Sequence, residues 1–495
     1  VSSHLTERLA GVYELAPHDP SRSYTMEGMR GFAVLLVFGV HFTAIYDGWS
    51  RGPLTQGLAD VVYGIGHSGV DLFFVLSGYL IYGGVIRRAL HYPTYMRRRL
   101  RRIYPTFFAV FCLYVVLSLL VPAESKIPDG AVPAALYLGA NLLLLPGIFE
   151  IPPLNVVTWS LSFEVFYYLT IPLVVGVLAM RRWASPWRVT FFVALGTMWF
   201  VHCLDRESLR TRLIMFVSGI VVYEVLHRRE SRAPARVSAE WGALAVLVSG
   251  LALAFVFDPG YLKPAILPQL GGPVGNALHV LTLAVTFGFF VSIALRSAGR
   301  GPLNVLLSAR PLRWWGNMSY SYYLIHSLTI QFVFLVAGRL LAERFHGDAA
   351  FWVMSVVTLV ATWVVATVLF LVVEKPVSLT VPPRPPLGLG RWRPLHRGDY
   401  APPLQVDDVE PTPETSSQPE ASAASGGQTP RPTVPTGRPE GRRRPCDRRR
   451  TAPECSGPAP RVVPRRGLAG DEACQPMGGG GAPVVVRSHR LRTVG

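Results

Sequence analysis

Apolar runs of about 20 residues recur along this chain, each long enough to cross a ~30 Å hydrocarbon core. That recurrence constrains the fold more tightly than any motif. Composition agrees. Of 495 residues, 50% are hydrophobic and only 16% are charged, against roughly 25% charged in soluble domains. The reading is an all-α polytopic membrane protein whose first partner is the lipid bilayer. The net charge of +17 does not call for nucleic acid. Arg is concentrated in short loops and in the tail, as expected for cytoplasmic faces beside anionic lipid. Cys112 and Cys203 lie in apolar segments, and Cys446, Cys455 and Cys474 lie in the tail without CxxC or His spacing. No structural disulfide and no metal site is expected. Residues 1–25 are polar and lack the pattern of a signal peptide, so the first apolar run is expected to stay as a signal anchor.

Candidate spanning helices fall at 31–47, 61–86, 104–121, 159–180, 187–204, 210–226, 241–257, 277–296, 316–337 and 350–373. A further apolar stretch, Ala134–Phe149, is ambiguous, and loop charge arbitrates. The Arg-rich loops are 87–102, 181–188, 228–236, 296–313 and the region after Lys375. If 134–149 crosses, Arg181, Arg182, Arg188 and the later basic loops face out. If it does not, every strongly basic loop shares the cytoplasmic side with both termini. The second arrangement is the expectation: about ten transmembrane helices in the inner or plasma membrane. Residues 122–158 then form an outer loop with a re-entrant or surface-lying helix. Three regions follow: a polar N-terminal segment (1–25), a transmembrane domain (26–378) and a Pro/Arg/Gly-rich tail (379–495). The tail has too few large apolar residues to offset chain entropy and is expected to be disordered. From about Arg431 its residues are those of GC-rich codons. An unselected extension and a basic lipid-binding segment both fit it.

Chemistry is written into the apolar runs themselves. The string HSGVDLFFVLSGYLI, His67–Ile81, carries His67, Asp71 and Ser77. Such groups cost free energy in a bilayer and concentrate at sites of function. Arg30 and His41 are 11 residues apart. At ~100° per residue that is about 20° past three turns, so both share a helix face, ~16 Å apart along the axis. A snorkelling Arg and a core His would be the bland reading; the neighbouring motifs favour a working pair. Arg97, Arg98, Arg99, Arg101 and Arg102 set topology. Arg99 and Arg102, one turn apart, can also grip one polyphosphate from one face. In WSLSFE, Trp159, Ser160 and Glu164 open a span, with Ser160 and Glu164 on one face. Ser319, Tyr323 and His326 form an i, i+4, i+7 stripe, a weaker signal because Ser and Tyr also serve helix packing.

Taken in order, these motifs resemble the acyltransferase-3 family of integral membrane O-acyltransferases, over roughly residues 22–378. The family's acidic residue, Gly-x-Arg-Gly and His eleven residues after the Arg match Glu27-Gly28-Met29-Arg30-Gly31 and His41. Glu27 stands where Asp is commoner. GVDLFFVLSG matches Gly69–Gly78, and the basic RxxR followed by Pro matches Arg99, Arg102 and Pro105. WSLSxE matches Trp159–Glu164, SYSxYLxH matches Ser319–His326, and Val373-Glu374-Lys375-Pro376 resembles the family's last-helix ending. The hydrolase-like domain that some members append is not read after the membrane part.

The resemblance implies an enzyme, an acyltransferase moving a group from acyl-CoA to a hydroxyl, usually on a sugar, with no metal. Alcohols are poor nucleophiles near neutral pH, so a general base helps, and neutral His suits the task. The expected catalytic residues are His41 as base, Arg30 to orient the thioester or steady developing charge, and Glu164 to orient His41 or the acceptor. Arg99, Arg102 and Ser77 are expected to hold the donor. No GxSxG elbow is present, which favours direct transfer; a covalent acyl-His remains the other route. The acceptor is expected to be an exopolysaccharide or cell-surface glycan, with a glycosylated secondary metabolite such as a macrolide second. A glycan transporter or flippase is the reading from another class, but it predicts related halves, and no internal repeat is found.

Overall fold

The apolar runs fold as helices, and no β-strand occurs among the described residues of this computed structural model. It describes residues 2–15, 23–46, 53–88, 91–203, 209–227, 234–257, 272–341 and 347–379. These all belong to one compact unit, Val1–Val409; the other, Glu410–Gly495, lies outside them, as does the expected tail from 380 onward.

In chain order the helices are α1 (Ser2–Tyr13), α2 (Tyr24–Tyr46), α3 (Pro53–Gly66), α4 (Ser68–Arg87), α5 (Tyr92–Leu120) and α6 (Ala131–Leu142). There follow α7 (Thr158–Val177), α8 (Ser185–His202), α9 (Ile214–Leu226), α10 (Val237–Phe257) and α11 (Gly272–Ala294). The last four are α12 (Pro302–Leu307), α13 (Arg310–Asn317), α14 (Ser319–Leu341) and α15 (Asp348–Leu369), which runs on into a π-helical segment, Phe370–Leu379. Eight segments among the described residues are long and apolar enough to cross a membrane. The expected spans at 187–204 and 210–226 correspond to α8 and α9, which lie outside those eight. They form a hairpin closed by Arg188 on Glu224 at one end and by Trp199 Nε1 donating to Arg210 O at the other.

Several boundaries differ from expectation for a physical reason. Helix α2 starts at Tyr24 rather than residue 31, because Glu27 is neutralised by Arg313 at 3.1 Å and so can sit within a helix. The polar segment 1–25 holds α1, docked through Tyr13. Its ring stacks on Trp314, and its hydroxyl shares a 2.9 Å hydrogen bond with Thr367. The ambiguous stretch becomes α6, 12 residues long, about 18 Å and short of a ~30 Å core.

One end of the bundle collects the basic loops. Arg181 donates to the carbonyls of Val85 and Arg88 at the end of α4, a favourable place for a cation. Arg101 donates to Val377 O, and Lys375 to Gly11 O and Val12 O. Ala235 N donates to Arg296 O, and Glu224, near the end of α9, takes both Arg188 and Tyr82. Residues 181–188 therefore lie at the same end as 85–102, which is the arrangement in which 134–149 does not cross.

Small residues let the helices close on one another. A methyl group at Gly78 of α4 would strike Phe216 O of α9, and one at Gly219 would strike Val75 O. Gly28, Gly31 and Gly316 bring α2 equally close to α12 and α13. Such contacts take the place of a hydrophobic driving force between helices in lipid. They fix the rotation of α2 and α4, and hence where Arg30, His41 and Ser77 point.

Candidate functional site

Five of the six sequence-predicted site residues line one cavity. Its volume is about 160 Å³, and its polar wall is built from Arg30, Ser77, Arg99, Arg102, Glu164 and Tyr168. The five come from α2, α4, α5 and α7, so only the tertiary fold assembles them. Phe73, Phe74, Leu80 and Ile81 of α4 supply apolar wall, and Ser160, Ser319, Tyr320 and Tyr323 complete the lining.

The polar groups are arranged unequally. Glu164 Oε1 accepts from Ser77 Oγ at 3.0 Å and from the Tyr168 hydroxyl. Arg30 makes no hydrogen bond or ion pair to any described residue. It feels attraction from Glu164 and Glu374 and repulsion from Arg102. Arg99 lies over the rings of Tyr95 and Tyr168, at 5.4 and 5.5 Å. Arg102 is 2.9 Å from Glu374 and 6.0 Å from the Tyr320 ring. Their neighbours face elsewhere: Arg97 and Arg98 are exposed, and Arg101 is spent on Val377. Arg99 and Arg102 thus line the cavity together, and Arg97, Arg98 and Arg101 do not.

The sixth residue, His41, is not in the cavity wall. Its ring centroid is 4.9 Å from that of His326 on α14. His326 is fully buried, and its Nδ1 lies 2.7 Å from Tyr323 O. A carbonyl only accepts, so Nδ1 carries the proton and Nε2 is left as an acceptor. That Nε2 has no hydrogen-bond partner. Tyr323 belongs to both parts: it lines the cavity, and its ring is 5.8 Å from His326, one helical turn on. Its hydroxyl and Ser160 Oγ share a 2.6 Å hydrogen bond. From the far end the segment 141–158 is tied down over α14. Asn155 Nδ2 donates to Leu324 O at 3.0 Å, and Leu154 N donates to Asn141 Oδ1 at 2.7 Å.

Glu164, expected to orient His41 or the acceptor, bonds to Ser77 and Tyr168 in the cavity wall with Arg30. Arg30, expected to orient the thioester or to steady developing negative charge, lies in the cavity wall, ~16 Å along α2 from His41. His326 was undervalued. Its stripe spacing with Tyr323 was visible, but the face it meets on α2 was not. Asp71, flagged as functional, is wholly buried and ion-paired with Arg212 through Oδ2, while Oδ1 has no hydrogen-bond partner.

A cavity with three arginines can hold an anionic ligand, and the paired imidazoles of His41 and His326 one turn beyond can move a proton. The acyltransferase domain family matches residues 23–373. Over 343 residues the chain is 25% identical to the peptidoglycan O-acetyltransferase OatA of Listeria monocytogenes, covering 62% of this chain and 49% of that protein. Over 402 residues it is 27% identical to the acyltransferase MdmB of Streptomyces mycarofaciens, covering 75% and 93%. The O-acetyltransferase OatA of Staphylococcus aureus is 26% identical over 361 residues, covering 64% and 52%. The match thus spans about half the length of both O-acetyltransferases. No solved structure matches the chain.

Proposed function

Because the chain belongs to the acyltransferase-3 family, we propose that it is a membrane-bound O-acyltransferase. It moves a short, acetyl-like acyl group from an acyl-CoA to a hydroxyl of a carbohydrate. The observation that carries this reading is the cavity where Arg30, Arg99 and Arg102 converge, one turn from the His41–His326 pair. Coenzyme A is an anion with a long neutral arm, and it fits that layout: phosphates on Arg99 and Arg102, the arm past Arg30 and Ser77, and the thioester toward Tyr323.

At the histidines, His41 takes the proton of the acceptor hydroxyl as its oxygen attacks the thioester carbonyl. His326, held in one tautomer by Tyr323 O, keeps the His41 ring in place. The tetrahedral species collapses with cleavage of the C–S bond. The thiolate leaves and takes up the proton, giving free CoA and the O-acyl sugar. Base assistance of this kind is worth roughly 10²–10⁴-fold. The acceptor approaches from the end opposite the arginines, under the 141–158 segment. An exopolysaccharide or cell-surface glycan suits that approach, and relatives named for peptidoglycan O-acetylation support a carbohydrate.

The basic end is the cytoplasmic one, in an inner or plasma membrane, with both termini on that side; α8, and α9 lengthened by the 3-10 turns Leu209–Leu213 that lead into it, complete ten passes. Cysteines introduced at Asp129 and Arg182 test the orientation: only the first should label from outside.

Purified protein given acetyl-CoA should release CoA when a carbohydrate acceptor is supplied, and His41→Ala should not. A protein that moves glycan across a vesicle membrane and releases no CoA would belong to the transporter class instead.

A further inference from the structure

We propose that Glu374 is the positioning residue that aims Arg102 at the phosphates of the donor; this rests on the acyl-CoA reading above. Glu374 lies in the π-helical segment that follows α15, is fully buried, and is not in the cavity wall. It reaches Arg102 from behind.

Its two oxygens have separate tasks. Oε2 accepts from Ser321 N at 3.0 Å and Ser321 Oγ at 2.6 Å. Ser321 is in the first turn of α14, whose N–H groups have no partner within the helix. A carboxylate there is also favoured by the helix dipole. Oε1 is thereby fixed toward Arg102 Nη1, 2.9 Å away. The contact is an ion pair without hydrogen-bond alignment: Nη1 is buried against Glu374, which orients the guanidinium and leaves its other nitrogens for a ligand. Arg102 itself is 24% exposed and lines the cavity. π-helical turns are rare and gather at functional sites. Here the widened turn also takes Arg101 on Val377 O and Lys375 on α1. The same helix whose first turn anchors Glu374 carries Tyr323 and His326, so the phosphate end and the histidine pair are built on one rigid element.

The test measures binding of CoA, and of pantetheine as a donor arm without the nucleotide phosphates, to wild type, Glu374→Gln and Arg102→Gln, and to the double variant. Glu374→Gln should weaken CoA roughly 10-fold, the effect of losing one charge-assisted contact, and leave pantetheine unchanged. In the Arg102→Gln background it should add nothing. Ser321→Ala, a gentler change, should shift CoA in the same direction by less. Equal weakening of CoA and pantetheine would mean a general structural role and overturn the proposal. So would full additivity with Arg102→Gln. If wild type binds no CoA, the acyl-CoA reading itself falls; if it binds and Glu374→Gln matches it, only the present inference does.

Discussion

Two regions of this bundle bury charge, and they do it in opposite ways. Around α4, α8 and α9 the buried carboxylates are ion-paired with arginines. Asp71 pairs with Arg212, and Glu224 takes Arg188 on both oxygens and Tyr82 besides. Around α2, α5 and α7 the charges face a cavity, and Arg30 has no hydrogen bond or ion pair among the described residues. Both regions carry the same residue types inside apolar helices, and the expense of burying them is similar. What separates a site from a staple is whether the charged groups pair off inside the helix packing or face a cavity. An intramembrane charge alone points to neither.

The sharpest break of this comparison is at the histidines. His41→Ala should lower turnover by roughly 10²–10⁴-fold with expression and insertion intact. His326→Ala should cost as much in turnover if the pair acts as a unit, read in the same assay. Retention of near-normal turnover by inserted His41→Ala would remove it from the chemistry.

The sealed region should fail differently. Arg212→Met leaves Asp71 charged, buried and unpaired, and breaking such a pair costs about 3–5 kcal/mol. Thermal unfolding in detergent should show a large loss of stability. The double change Asp71→Leu with Arg212→Met should recover much of it, because volume-matched apolar replacement of a buried pair is often tolerated. A stable Arg212→Met with lost acyl transfer would move this pair into the site.

Smaller again are the cavity arginines. Arg99→Gln and Arg102→Lys should each raise the apparent donor KM by about 10- to 150-fold, equivalent to ~1.5–3 kcal/mol for a charge-assisted contact. A Lys cannot reproduce the planar fork. Arg97→Gln, at an exposed position, should be near-silent, within ~0.5 kcal/mol. Three indistinguishable donor curves would return the whole run to a topological role.

Legibility from sequence followed the range of each interaction. The helices, the shared face of Arg30 and His41, and the inward pair Arg99 and Arg102 all depend on helical period, which the chain displays locally. The Asp71–Arg212 pair joins residues 141 positions apart, so Asp71 was visible as anomalous while its neutralisation was not. Glu374 looked like a helix ending because its partners, Arg102 and Ser321, come from α5 and α14. Helix α1 was hidden for another reason: it docks through Tyr13 with the partly buried Leu9 and Val12, and through end carbonyls held by Lys375 and Asn317, rather than through a long apolar run. The break at His67 between α3 and α4 has no turn residue with positive φ to announce it; its ring instead reaches back to Tyr63 O at 3.3 Å.

The central claim is that the cavity at the basic end receives the donor and leads to the histidines. A structure of the protein with CoA bound tests it most directly. The account predicts nucleotide phosphates against Arg99 and Arg102, with the pantetheine arm passing Arg30 and Ser77 to end at Tyr323, one turn from His326. Phosphates seated elsewhere on the basic end, with Arg30, Arg99 and Arg102 facing an empty cavity, would contradict it.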